Sequence, residues 1–280
     1  MTVQAAPRRI LVAGDWHGNE EWARSVIRRA SGLLTSEPRR LILHLGDFGI
    51  WPDRAGQAYL TRIAAAVAEA GAELWFIDGN HEDFGLLARL DAEGVTGDGR
   101  VRIRPGLYHL PRGYRWAWHG RSWLGCGGGV SLDKAERTPG ADWWPDEEIT
   151  AAQAAAISAA GHADVLASHD CPAGVRHDFG RPPPGWDAAD LARNDAHRRR
   201  LQGLVDAVQP AYVMHGHLHR AYQRVCDFGY GPVQVTGLAA DGRLANFAVL
   251  DVAAMRWERR GGPVGWAGRR AGRRPGRHRG

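Results

Sequence analysis

Arg9-Ile10-Leu11-Val12-Ala13-Gly14-Asp15-Trp16-His17-Gly18 is the stretch from which the rest of the chain can be read. The apolar run at 10–13 reads as a buried strand that ends at Asp15. With a strand period of two, the side chains of Asp15 and His17 can fall on one side. The same pattern returns four times. Residues 40–45 run into Gly46-Asp47, and residues 73–77 into Gly79-Asn80-His81-Glu82. Residues 164–167 run into Ser168-His169-Asp170, and residues 211–214 into the segment containing Gly216-His217-Leu218-His219.

Helical spacing separates the first three strands. Trp22, Val26, Ile27, Leu33 and Leu34 mark a helix over 20–34, and an Ala-rich run at 59–70 marks a second. A strand-helix-strand rhythm predicts a parallel sheet, whose carboxyl-terminal loops are where such sheets bind ligands. Short antiparallel strands are expected at 101–110, 114–119 and 122–126. Helices are expected at 147–160 and 188–208, a loop at 171–186, and further strands to Asp251.

The polar residues at the strand ends are carboxylates, an amide carbonyl and imidazoles, a donor mix that suits first-row divalent metals. They are too many for one ion and about right for two ions sharing a carboxylate. Taken singly, each is ambiguous. Asp15 or Asp47 could cap a turn or helix, Gly79-Asn80 could be a structural turn, and a lone His169 could be a core histidine. Two imidazoles at 217 and 219 on a tight turn have few structural uses.

Taken in order, the five blocks resemble the calcineurin-like metallophosphoesterase superfamily, whose pattern is D-x-H, G-D, G-N-H-[DE], a lone His, and G-H-x-H. The resemblance runs from Asp15 to His219. It implies an α/β fold, a four-layer α/β/β/α sandwich of two mixed sheets with flanking helices. It implies one metal held by Asp15, His17, Asp47 and His219, and a second held by Asp47, Asn80, His169 and His217. Asp47 would bridge. The ions, of Mn, Fe, Zn or Ni, would lie roughly 3.5–4 Å apart with a bridging hydroxide as nucleophile. The implied catalytic residues are His81, as general acid or electrophile, and Glu82, orienting the active-site histidine. His44, His109, His119, His162, His177, His197 and His215 match no block.

The chain departs from the protein Ser/Thr phosphatase branch. That branch has G-D-x-x-D-R-G, whereas here Asp47 is followed by Phe48-Gly49-Ile50-Trp51, and Asp83 stands where the branch has Arg after G-N-H-E. The expected function is hydrolysis of phosphate monoesters or diesters, with nucleotides and nucleic acid among the candidate substrates. The alternative is a binding or nucleic-acid-interaction module on the same fold, which loss of ligands would mark.

The 280 residues can bury a sizeable core. One catalytic domain is expected over 1–260, with a Gly/Arg-rich, disordered tail over 261–280. The formal charge of +5 sits in that tail, because its six arginines leave the remainder at −1. Strong nucleic-acid affinity in the body is thereby disfavoured, and weak electrostatic contacts of the tail are the remaining expectation. Cys126, Cys171 and Cys226 show no paired spacing, and no apolar run spans a membrane. A cytoplasmic location is expected. Gly125–Gly129 lacks the Lys-Ser/Thr of a phosphate loop and reads as a turn beside the site. Trp143 and Trp144 read as packed aromatics rather than a stacking platform. Lys134 is the only lysine. Either it is retained by chance on an exposed turn or, with Arg137, it holds this loop or a substrate phosphate near the metals.

Overall fold

The computed structural model describes residues 6–175 and 185–258. The tail and His177 lie outside the described residues, as does much of the loop expected at 171–186.

Strand β1 (Arg9–Ala13) leads to helix α1 (Glu20–Leu33), β2 (Arg40–Leu45), α2 (Arg54–Glu69), β3 (Ala72–Ile77) and α3 (Phe84–Gly94). Each helix starts on a side-chain cap. Asn19 accepts from Trp22 N, Asp53 from Gly56 N and Asp83 from Leu86 N. Such caps are worth about 1 kcal/mol each. The Asp53 cap explains why α2 begins five residues before the apolar pattern at 59 does.

The middle of the chain forms β4 (Val101–Arg104), β5 (Leu107–His109), β6 (Arg115–Trp118) and β7 (Arg121–Cys126). Then follow α4 (Ala151–Ala159), β8 (Val165–Ser168), α5 (Ala188–Val208) and β9 (Tyr212–His215). The last strands are β10 (Tyr222–Asp227), β11 (Pro232–Gly237), β12 (Phe247–Asp251) and β13 (Arg256–Trp257).

Two mixed sheets result. One has the order β13-β12-β1-β2-β3-β5-β4 and the other β10-β11-β9-β8-β7-β6. In each, four parallel strands form the centre, with antiparallel strands outside them. Ile10, Val12, Leu41, Leu43, Ile77, Val165, Ala167 and Met214 are buried between the sheets. Helices α1, α2 and α3 cover the outer face of the first sheet through Val26, Ile27, Leu60, Ile63 and Phe84. Helices α4 and α5 cover the second through Ile157, Leu201, Leu204 and Val205. This is the expected four-layer α/β/β/α sandwich.

One expectation is corrected here. The run 101–110, expected as one antiparallel strand, is two strands, and the strands expected over 101–126 are divided between the sheets. β4 and β5 belong to the first sheet, where β5 pairs parallel with β3, whereas β6 and β7 belong to the second. Local hairpin patterning reveals neighbours along the chain, but the sheet each hairpin joins is set by non-local burial.

Among the described residues, no helix is long and apolar enough to cross a membrane.

Candidate metal centre

The carboxyl-terminal ends of β1, β2 and β3 in one sheet meet those of β8 and β9 in the other. The loops leaving these five strands carry all five motifs to one place. Asp47 lies at their junction. Its Oδ1 accepts the backbone N–H groups of Asn80 and His81 at 2.9 and 3.0 Å. Its Oδ2 faces His17 Nε2 at 3.2 Å. His169 Nε2 lies 3.4 Å from Asp47 Oδ1 and 3.1 Å from Asn80 Oδ1.

Among the described residues, three groups of side chains have ligand atoms within 4.8 Å of one another: Asp47 with His169 and His217, Asp47 with Asp15 and His219, and Asp47 with His17 and His81. Asp47 is common to all three. Asn80 joins the first group through its carbonyl. His81, expected not to be a ligand, lies as close to His17 and Asp47 as ligands do.

The donor chemistry fits divalent cations. Asp15 is buried, its Oδ1 accepts His217 N at 2.9 Å, and its Oδ2 has no hydrogen-bond partner. A buried carboxylate oxygen left bare costs about 1–3 kcal/mol or more. Burial, followed by the neighbouring Asp47, pushes the Asp15 carboxyl up to about 7, while His169 pulls against it. Burial opposes charge on Asp47 as well, but His169 and His81 hold it well below the usual carboxylate range. His169 is itself lifted to about 10 by Asp47 and Asp15, against its burial. His217 and His219 are driven down by burial to about 3 and about 4, so both stand as neutral imidazoles with lone pairs to give.

The backbone is arranged for this convergence. His17, Asp47, His217 and His219 all adopt left-handed φ angles, of 47°, 56°, 59° and 52°. A non-glycine residue there costs on the order of 1 kcal/mol and persists where its surroundings impose it. Gly79 is required by close approach, since a Cβ there would lie 2.1 Å from Asp47 Oδ1. At Gly46, with φ +93°, a Cβ would lie 2.3 Å from His169 Nδ1. Gly129 stands beside Asn80, His169 and His217, so the glycine run borders the centre.

Glu82 is buried, and both of its oxygens accept backbone N–H groups, those of Phe48 at 2.7 Å and Gly79 at 3.1 Å. It ties two of the motif loops together rather than contacting a histidine ring.

Sequence reading missed several residues here. Asp241 accepts from Asn19 Nδ2 at 2.6 Å and pairs with His17 Nδ1 at 3.3 Å, and its N–H bonds the Asp15 carbonyl. Asp170, within the Ser-His-Asp block, pairs with buried His197 at 2.8 Å. Asp78 pairs with Arg112 and His109 just before the Asn80 loop. Ser131 and Glu147 lie behind Asn80. None has a diagnostic spacing. The one usable signal was that Asp78, Asp170 and Asp241 follow strands as the motif residues do.

Lys134 is half-buried, with Nζ 4.2 Å from the Trp143 ring centroid. Arg137 pairs with Asp133 and donates to Asp142 O. Both basic residues are engaged within their own loop.

Two mixed sheets packed face to face, with carboxylates and imidazoles gathered where their parallel strands end, form the architecture of a metallophosphoesterase. The chain belongs to the calcineurin-like phosphoesterase family, whose model matches residues 8–221. Among solved structures, it is similar to TT1561 of Thermus thermophilus, with 14% identity and a TM-score of 0.54 over 90% of this chain and 97% of that one. At that identity the likeness concerns the fold. A conserved uncharacterised protein of Streptococcus pneumoniae, described as a predicted phosphoesterase, aligns with 11% identity and a TM-score of 0.34 over 88% of this chain and 83% of that one. No curated protein matches the sequence.

Proposed function

We propose that this protein hydrolyses phosphate esters using two divalent transition-metal ions. The carrying observation is that Asp47 belongs to every candidate ligand group while Asp15 Oδ2 lies buried and bare. In this reading Asp15, His17, Asp47 and His219 hold one ion, and Asp47, Asn80, His169 and His217 hold the other. Such a pair supplies Lewis acidity towards phosphoryl oxygens and activates water near neutral pH.

The protein's own groups do the rest. His169 is fixed in orientation by donating from Nδ1 to Leu45 O at 2.7 Å. His81 is half-buried at the rim, with its ring centroid 5.4 Å from that of His17. Burial, against the pull of the Asp47 charge, lowers its pKa, and its ring can donate to the phosphoryl oxygens or, once protonated, give a proton to the leaving alkoxide. Glu82 holds the Asp47 and Asn80 loops in register from behind. The three free thiols suit a reducing compartment, in keeping with a cytoplasmic location.

The test is metal analysis of the purified protein, with activity on p-nitrophenyl phosphate and bis-p-nitrophenyl phosphate under Mn, Ni, Zn and Mg in turn. Two equivalents of metal and metal-dependent turnover support the proposal. A folded protein that binds no transition metal, or turns over neither ester, refutes it. The ratio of the two rates separates monoesterase from diesterase action.

A further inference from the structure

The two ends of an asparagine amide have the same shape, but only the carbonyl end can face a cation. At Asn80 a chain of hydrogen bonds decides which end does. Asn80 Nδ2 lies 3.0 Å from Ser131 Oγ, and Ser131 Oγ lies 2.6 Å from Glu147 Oε2. Glu147 Oε1 accepts Ser131 N at 3.0 Å and pairs with Arg193 Nη2 at 2.9 Å. Asn80, Ser131 and Glu147 are all buried, at 3%, 2% and 0% exposure, so water has little access to substitute for any partner.

A serine hydroxyl has one hydrogen. The Glu147 carboxylate, held as an acceptor by Arg193 and Ser131 N, takes it. Ser131 Oγ is then left with lone pairs only, and it can meet Asn80 only as an acceptor. The Asn80 NH2 therefore points at Ser131, and Oδ1 points the other way, 3.1 Å from His169 Nε2.

We propose that Glu147 and Ser131 are positioning residues that lock the Asn80 carbonyl towards the second metal position. The proposal rests on the two-ion reading above. Arg193 lies on α5, so the lock reaches from that helix to the loop after β3. Without it the amide can rotate and present N–H groups to a cation, which removes one ligand and adds repulsion.

The test is manganese titration of the full chain, with ions counted by mass spectrometry and exchange coupling between the two ions read by electron paramagnetic resonance. Ser131→Ala should weaken the second ion roughly 10–100-fold, the usual scale for partners of metal ligands, and leave the first unchanged. The coupled signal should give way to that of a single ion. Glu147→Gln, which keeps size and shape but can donate or accept, should weaken the second ion in the same direction, and it decides the matter if Ser131→Ala fails to fold. In an Asn80→Ala background, Ser131→Ala should add no further loss, because it acts through that amide. Wild-type affinity for both ions in Ser131→Ala and Glu147→Gln overturns the proposal, as does an additive loss in the Asn80→Ala background. A wild type that saturates at one ion overturns the two-ion reading itself, and this proposal with it.

Discussion

The Asp47 carboxylate reaches from the end of one strand to the loop after the next and accepts the Asn80 backbone N–H at 2.9 Å. That bond, and its companion to His81, occupy Oδ1. Oδ2 remains for another partner. The two oxygens of one side chain thus divide between holding the loop and facing the centre.

Asp47→Asn separates these tasks. The amide oxygen can keep accepting from Asn80 and His81, so the fold should survive, while an NH2 replaces the oxygen that faces His17. We expect near-native thermal unfolding of the metal-free protein, loss of most metal from both positions, and activity reduced to background. Mass spectrometry of the equilibrated variant checks this, and full activity in a variant still carrying two ions would contradict a bridging role.

His81→Ala should retain both ions and lose roughly 10²–10⁴ in kcat, the scale for a general acid or base. The loss should shrink for esters with good leaving groups, which need no proton. Metal content is the decisive readout because His81 also lies within ligand range of Asp47. If an ion leaves along with the activity, His81 is a ligand.

His109 yields a pH prediction away from the ligands. It is buried between Asp78 and Asp91, and although burial lowers its pKa, the two carboxylates, 3.5 and 2.7 Å from its ring nitrogens, raise it overall to about 9. A raised histidine contributes stability that is full below its unfolded value of about 6.5 and disappears as pH rises through about 9. The neutral variant His109→Gln should be less stable than wild type at pH 6, by up to about 3 kcal/mol. The gap should close by about pH 9.5. Urea unfolding at both pH values, under chelation, measures it, and a gap independent of pH removes the charged-histidine account.

Lys134 stacks on Trp143, a contact worth about 0.5–2 kcal/mol. Lys134→Ala should lower stability by that order and leave metal content and kcat unchanged. Lys134→Arg, whose guanidinium also stacks on aromatic faces, should be near neutral. A fall in kcat with stability intact would instead give the ammonium a role at the substrate.

The first three strands were legible in the sequence because apolar runs ending in glycine and a polar residue leave a local mark, whereas the four-layer plan followed only from the resemblance that the five ordered blocks carry. Asp15, His17, Asp47, Asn80 and His169, ambiguous singly, were picked out with His217 and His219 only by the order of the five blocks. Helix α3 escaped notice. Its Asp83 cap directly follows the Gly79–Glu82 motif, and its buried face offers only Phe84 and Leu87. Ser131, Glu147 and Asp241 were invisible because a polar residue behind a ligand follows no period. Its partner is chosen by the docking of two sheets, as with the 51 positions between Asn80 and Ser131.

Asp15 and His217 are joined by a hydrogen bond across 202 positions of chain. At 5–20 residues per second, a ribosome takes roughly 10–40 s to travel that distance. For most of that interval the nascent chain offers Asp15, His17 and, once made, Asp47 without His217 and His219, and His169 joins them only late. The choice of ion is therefore withheld until His219 has been made, when the full donor set first exists and can discriminate among the metals around it.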